Sequence, residues 1–171
     1  AEDIDHDYLW RAHRALPARG MIGIFNRSYY EEVLVVRVHK ELLKAQRLPP
    51  GTTGEKIWER RFREINNFEK YLVRNGTLVL KFFLNISKDE QKKRFLARID
   101  ESDKNWKFSV ADYRERGYWD QYQEAFEDML THTSTEWAPW FVIPADNKWC
   151  ARLALSQIVT AALEGLDLKI P

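Results

Sequence analysis

Thr77-Leu78-Val79-Leu80-Lys81-Phe82-Phe83-Leu84, running on through Asn85-Ile86 into Ser87-Lys88-Asp89-Glu90, decides the fold class. The first eight residues are apolar but for one threonine and one lysine. Such a run reads as a strand covered on both faces, as in a parallel sheet. Ser87 with Glu90 three residues on is a capping box that opens a helix to about Ile99. A strand leading straight into a helix is the repeating unit of an α/β fold. Immediately upstream, Gly76 ends a long amphipathic helix predicted over Glu55 to Arg74, with Ile57, Trp58, Phe62, Ile65, Phe68, Leu72 and Val73 on its apolar side. Further out, Met21 to Phe25 reads as a second buried strand and Pro139 to Ile143 as a third. Helices are predicted around Tyr8 to Leu16, from about Tyr29, from Ser109 to about Leu130, and from Lys148 to Leu163. The alternation implies a parallel sheet with right-handed crossovers. Three strands make a narrow sheet and the chain opens with a helix, so a further strand is expected upstream.

The 171 residues suffice for one domain with a real core. A composition of 44% hydrophobic and 31% charged residues excludes a disordered chain. Apolar runs fall well short of the ~20 residues of a spanning helix, no signal-peptide pattern is visible, and no membrane association is expected. Cys150 is the only cysteine, which excludes an intrachain disulfide and a cysteine zinc site and makes a cytoplasmic location the expectation. With 27 bases against 26 acids, no overall field draws a polyanion, and nucleic acid is not an expected partner. No G-x-x-x-x-G-K-[ST] phosphate loop is present. Gly51-Thr52-Thr53-Gly54-Glu55-Lys56 has the wrong spacing and reads as a surface turn. No G-x-S-x-G nucleophile elbow exists. His6, His13, His39 and His132 lack metal-ligand spacing, and no metal ligand is assigned. Of the seven tryptophans most are expected in the core, with Trp106 the exception.

Ligands of open α/β sheets bind beyond the carboxyl ends of the strands. Those ends carry Asn26-Arg27-Ser28, Asn85-Ile86-Ser87 and Ala145-Asp146-Asn147-Lys148. Ser87 and Asn26 suit helix caps as well as ligands. Arg27 cannot cap, and an arginine between a strand and a helix is placed to hold an anion. From Lys92 to Arg116 there are eight bases against five acids, a net +3 in a chain whose total is +1. Arg94 and Arg98, four apart, share a helix face. This segment fits either a solvated charged face or a lid closing over phosphate.

Ile22-Gly23-Ile24-Phe25-Asn26-Arg27-Ser28-Tyr29-Tyr30-Glu31 resembles the second phosphate-site motif of the polyphosphate kinase 2 family. Asp5 to Arg11 resembles the family's segment just upstream. Gly76 to Leu84 with Ile86-Ser87-Lys88 and Gln91 resembles its next strand and helix. Trp106-Lys107-Phe108-Ser109 with Asp112 resembles its lid. Thr133, Thr135, Ala138-Pro139-Trp140, Ala145-Asp146 and Lys148 resemble its closing strand. The motifs come in order over nearly the whole chain.

The resemblance implies a three-layer α/β/α P-loop kinase-like fold, similar to thymidylate kinase. Residues 1–171 would form one kinase domain, with a helical lid over about 92–117. It implies Mg2+-dependent phosphoryl transfer between inorganic polyphosphate and adenine or guanine nucleotides, carrying AMP or ADP to ADP or ATP, in a homo-oligomer. By the same resemblance Asn26 and Arg27 sit at the phosphate site and Glu31 faces the nucleotide or metal, while Arg94, Arg98 and Lys107 belong to the lid. Asn26 stands where many relatives carry aspartate, and this form with Tyr-Tyr-Glu resembles the branch accepting both AMP and ADP. The family's phosphate loop, with its lysine and a nearby aspartate, precedes these motifs. The chain thus resembles the carboxyl-terminal two-thirds of such a kinase, and is expected to turn over negligibly by itself. An ATP-dependent nucleotide kinase of the same fold, and a non-catalytic binding domain, are the alternatives.

Overall fold

The chain is described here by a computed structural model covering residues 5–54, 56–101, 103, 106 and 109–166. In order it forms α1 (Trp10–Arg14), a 3-10 helix (Tyr29–Val33), α2 (Val35–Val38), α3 (Lys40–Ala45), α4 (Ile57–Arg74), β1 (Lys81–Asn85), α5 (Lys88–Asp100), α6 (Val110–Glu115), a 3-10 turn (Arg116–Tyr118), α7 (Trp119–Thr133), β2 (Trp140–Pro144) and α8 (Lys148–Glu164). The described residues form a mixed helix and sheet structure in which two strands pair in parallel.

The chain divides into two compact units, Ala1–Val79 with Tyr118–Pro139, and Leu80–Gly117 with Trp140–Pro171. The core of the first is the apolar face of α4. Phe62, Ile65, Phe68 and Leu72 are buried there, and Leu9, Ala12, Leu16, Tyr29 and Val79 pack around Phe68 and Leu72. α7 contributes Ala125, Met129 and Thr133, all essentially fully buried, and Phe62 stacks on His132. α4 ends in a Schellman turn. Gly76 (φ 88) donates its N–H to the Val73 carbonyl, and Thr77 donates to Leu72. A positive φ is why glycine stands there.

In the second unit β1 and β2 pair in the register Phe82↔Phe141 and Leu84↔Ile143. Phe82, Phe141 and Ile143 pack with Ala145, Ala151, Ala154 and Ile158, so α8 covers this face. Asn147 caps α8 by accepting from the N–H groups of Trp149 and Cys150. Ser87 caps α5 as its capping box predicts, accepting from the Glu90 N–H.

Four expectations need correction. Met21 to Phe25 is not a strand, and Met21, Ile22 and Ile24 are 69%, 73% and 89% exposed. A strand exists only where a neighbour pairs its backbone, and among the described residues none lies beside this run. The helix from Tyr29 breaks into three short pieces. Val33, Val35, Val36 and Val38 are stiff at χ1 and weaken it, and His39 (φ −106, ψ 73) leaves the helical region. The helix from Ser109 is interrupted at Arg116–Tyr118, where Gly117 lowers helix propensity. None of the seven tryptophans is buried: Trp106, as expected, and Trp149 at the start of α8 are exposed, and the other five are half-buried.

Candidate active site

Arg27 is the one non-glycine residue with positive φ (64°) among the described residues. Its left-handed backbone turns the extended run before it into the 3-10 helix. Ser28 caps that helix, its hydroxyl accepting from the Tyr30 N–H. The turn leaves the Arg27 side chain 83% exposed, with its Nε 3.5 Å from Oε1 of Glu31. Asn26 is exposed beside it. A cation, an amide and a carboxylate thus share one turn of the first unit. An exposed guanidinium beside one screened carboxylate can exchange that partner for a phosphate, whose oxygens match its fork.

The turn is anchored from below. Tyr29 and Tyr30 both donate their hydroxyls to Oε1 of Glu69 on α4, at 2.8 and 2.7 Å. Glu69 is wholly buried. Burial first, and the Glu69 carboxylate second, push both phenols far above their ordinary value, so they stay protonated donors. Next to them Glu32 accepts two hydrogen bonds from Gln46. Arg61 Nε lies 3.1 Å from the same carboxylate but out of hydrogen-bond line. Arg61 also bonds Glu64 and Gln46 and stacks over Tyr8. Burial raises the Glu32 pKa, and Gln46 and Arg61 oppose that rise.

The second unit carries the other predicted residues. At the carboxyl ends of the strands, the Ser87 N–H donates to Oδ1 of Asp146 (2.7 Å). That bond, with Arg94 a lesser cause, holds the exposed Asp146 carboxyl below its ordinary value. Arg94 donates to Glu90 and to the carbonyls of Ala145 and Asp146, at 2.7–3.0 Å. It tethers the end of β2 to α5. Arg98 instead faces Asp112 (3.5 Å) and the Phe95 ring. Arg94 and Arg98 therefore share α5 but have different partners. Lys107 lies outside the described residues. The four histidines each contact an aromatic ring, Trp10 for His6, Phe68 for His13, Tyr118 for His39 and Phe62 for His132.

The sequence assigned no role to Glu69, and placed Asp146 only among the polar residues at the strand ends. Glu69 had a signal. It lies four residues after Ile65 and three before Leu72, an acid on the apolar face of α4, and such a buried acid needs dedicated partners.

The family model of polyphosphate kinase 2 matches residues 1–170. This chain belongs to the polyphosphate kinase 2 family. It is 54% identical over its whole length to an ADP-polyphosphate phosphotransferase of Rhodopseudomonas palustris. It is 46% identical over 99% of its length to an AMP/ADP-polyphosphate phosphotransferase of Meiothermus ruber. The chain spans 60% of each of these two curated relatives. The crystal structure of polyphosphate kinase 2 from Arthrobacter aurescens superposes over the whole chain with a TM-score of 0.89 at 47% identity, and the chain covers 56% of it. The Arg27 turn and the α5 arginines all fall inside the residues matched by the family model.

Proposed function

We propose that this protein transfers phosphoryl groups between inorganic polyphosphate and AMP or ADP. The observation that carries this reading is the family match over residues 1–170, which includes the exposed, backbone-constrained Arg27. In this reading Arg27 and Asn26 hold the transferring phosphate and Glu31 faces the nucleotide. Arg98, with Arg94 and Lys107, belongs to a lid over about residues 92–117. The fold is that of a three-layer P-loop kinase, and the protein works as a homo-oligomer.

The chemistry suits such a site. The attacking nucleotide oxygen is already anionic, so catalysis rests on in-line placement and on charge neutralisation rather than on a general base. Magnesium belongs to the proposal as well. Bound to phosphate oxygens, it would neutralise their charge. Magnesium held mainly by substrate needs only one or two protein carboxylates. Glu31 is the carboxylate on this turn, and among the described residues no group of three candidate ligands forms a metal cage. The full-length protein, given polyphosphate and ADP, should form ATP. ATP in place of polyphosphate should be a poor donor to AMP. No product from polyphosphate, with good turnover from ATP, would make the protein an ATP-dependent nucleotide kinase instead.

A further inference from the structure

Glu69 is far along the chain from the Arg27 turn, yet it is the acceptor beneath it. Two adjacent tyrosines, the second and third residues after Arg27, donate to a single carboxylate oxygen, Tyr29 at 2.8 Å and Tyr30 at 2.7 Å. Glu69 is 0% exposed and Tyr30 4%. Thr133 on α7, also wholly buried, reaches the Tyr30 hydroxyl. Tyr29 and Tyr30 form the first two positions of the 3-10 helix whose cap is Ser28. A buried carboxylate with two charge-assisted bonds fixes both rings against α4. With the rings fixed, the backbone that carries them is anchored to α4. The left-handed Arg27, two residues before Tyr29, is then held in a conformation that an unsupported arginine would leave.

We infer that Glu69 is a positioning residue, which through Tyr29 and Tyr30 holds the turn that presents Arg27 and Glu31. This rests on the reading of Arg27 as a phosphate-site residue, and it adds a residue that touches no substrate. A buried acid on the apolar face of α4 would otherwise be a liability, since it costs stability wherever it is incompletely paired.

The test uses Glu69→Leu, Glu69→Gln, Arg27→Ala and the double variant Glu69→Leu/Arg27→Ala in the full-length protein. Amide hydrogen exchange reads the turn without reference to activity. In Glu69→Leu the Tyr30 and Glu31 amides should exchange about tenfold faster, while those of β1 and α8 stay as they were. Glu69→Gln, whose carbonyl still accepts, should restore most of the protection. In turnover, Glu69→Leu should cost about tenfold in kcat/KM, mostly in kcat. In the Arg27→Ala background it should cost nothing further, because both changes remove the same presented guanidinium. Multiplying losses, or unchanged exchange at Tyr30 and Glu31, would overturn the inference. If Arg27→Ala proves fully active, the phosphate reading fails, and exchange at the turn still decides whether Glu69 positions it. Should Glu69→Leu not fold, Tyr29→Phe leaves Tyr30 on the carboxylate and reads the same exchange at about threefold.

Discussion

Arg27 holds a backbone conformation that costs a non-glycine residue ~1–2 kcal/mol. Its side chain is mostly exposed, so packing does not explain the choice of arginine. Strain retained without a packing gain points to function. Two substitutions separate these terms. Arg27→Ala should lower kcat/KM by roughly two to three orders of magnitude, the worth of a ~2–4 kcal/mol contact to the transferring phosphate, with little change in melting. Arg27→Gly should be as inactive yet more stable by ~0.5–1 kcal/mol, because glycine adopts this φ freely. Steady-state kinetics beside thermal melts check both. Equal activity in the wild type and both variants would remove Arg27 from the site. The sequence singled out Arg27 as an arginine closing an apolar run, but the buried strand expected to precede it is absent. Its left-handed backbone was not legible, because nothing in the residue type encodes it. Glu69 was visible as an acid on an apolar helix face, but its partners were not. Its role depends on two phenols that only the tertiary fold brings to it.

Elements whose ends carry their own chemistry were the most legible. Ser87 and Gly76 marked helix boundaries that the structure keeps, and β1 and β2 fall at the predicted apolar runs, although β1 begins only at Lys81 and not at Thr77. Met21 to Phe25 is also a short apolar run and is no strand, because pairing is not a property of the run itself. The α5 helix gives its two arginines, Arg94 and Arg98, different partners. Arg94→Ala should lose ~1–3 kcal/mol of stability with the Ala145 and Asp146 carbonyls unbonded. Arg98→Ala should leave melting nearly unchanged, raise KM for polyphosphate and flatten its salt dependence, by analogy with counterion release from nucleic acid. Kinetics over a salt series, with melts, distinguish the two; an unchanged KM and slope for Arg98→Ala would make that face ordinary surface. The Asp146–Ser87 tie adds a pH dependence of known sign. The folded carboxyl titrates below the ordinary 3.8. Its stabilisation is therefore complete above that value and disappears as pH falls through the lower folded value. Asp146→Asn should melt below the wild type at pH 6, with the gap closing in acid. A gap that persists at pH 2 would show that the tie does not depend on the charge.

At the scale of the whole chain, the exposed row Met21, Ile22 and Ile24 stands out. Contiguous apolar exposure of this kind drives association. The 171-residue chain should scatter more light as its concentration rises, and Ile22→Lys with Ile24→Lys should abolish that rise. Scattering that ignores both lysines would place the adhesive surface elsewhere. The division into two units has its own consequence. The backbone passes between them after Val79, after Gly117 and after Pro139, so neither is a continuous stretch of sequence. A fragment ending at Gly117 would keep Tyr30 and Glu69 but lack the whole of α7, and with it Thr133, Met129 and Ala125. Limited digestion or stop codons therefore cannot deliver either half in native form. Dissecting this protein calls for splicing distant segments with a designed linker, or for co-expressing complementary pieces that reassemble.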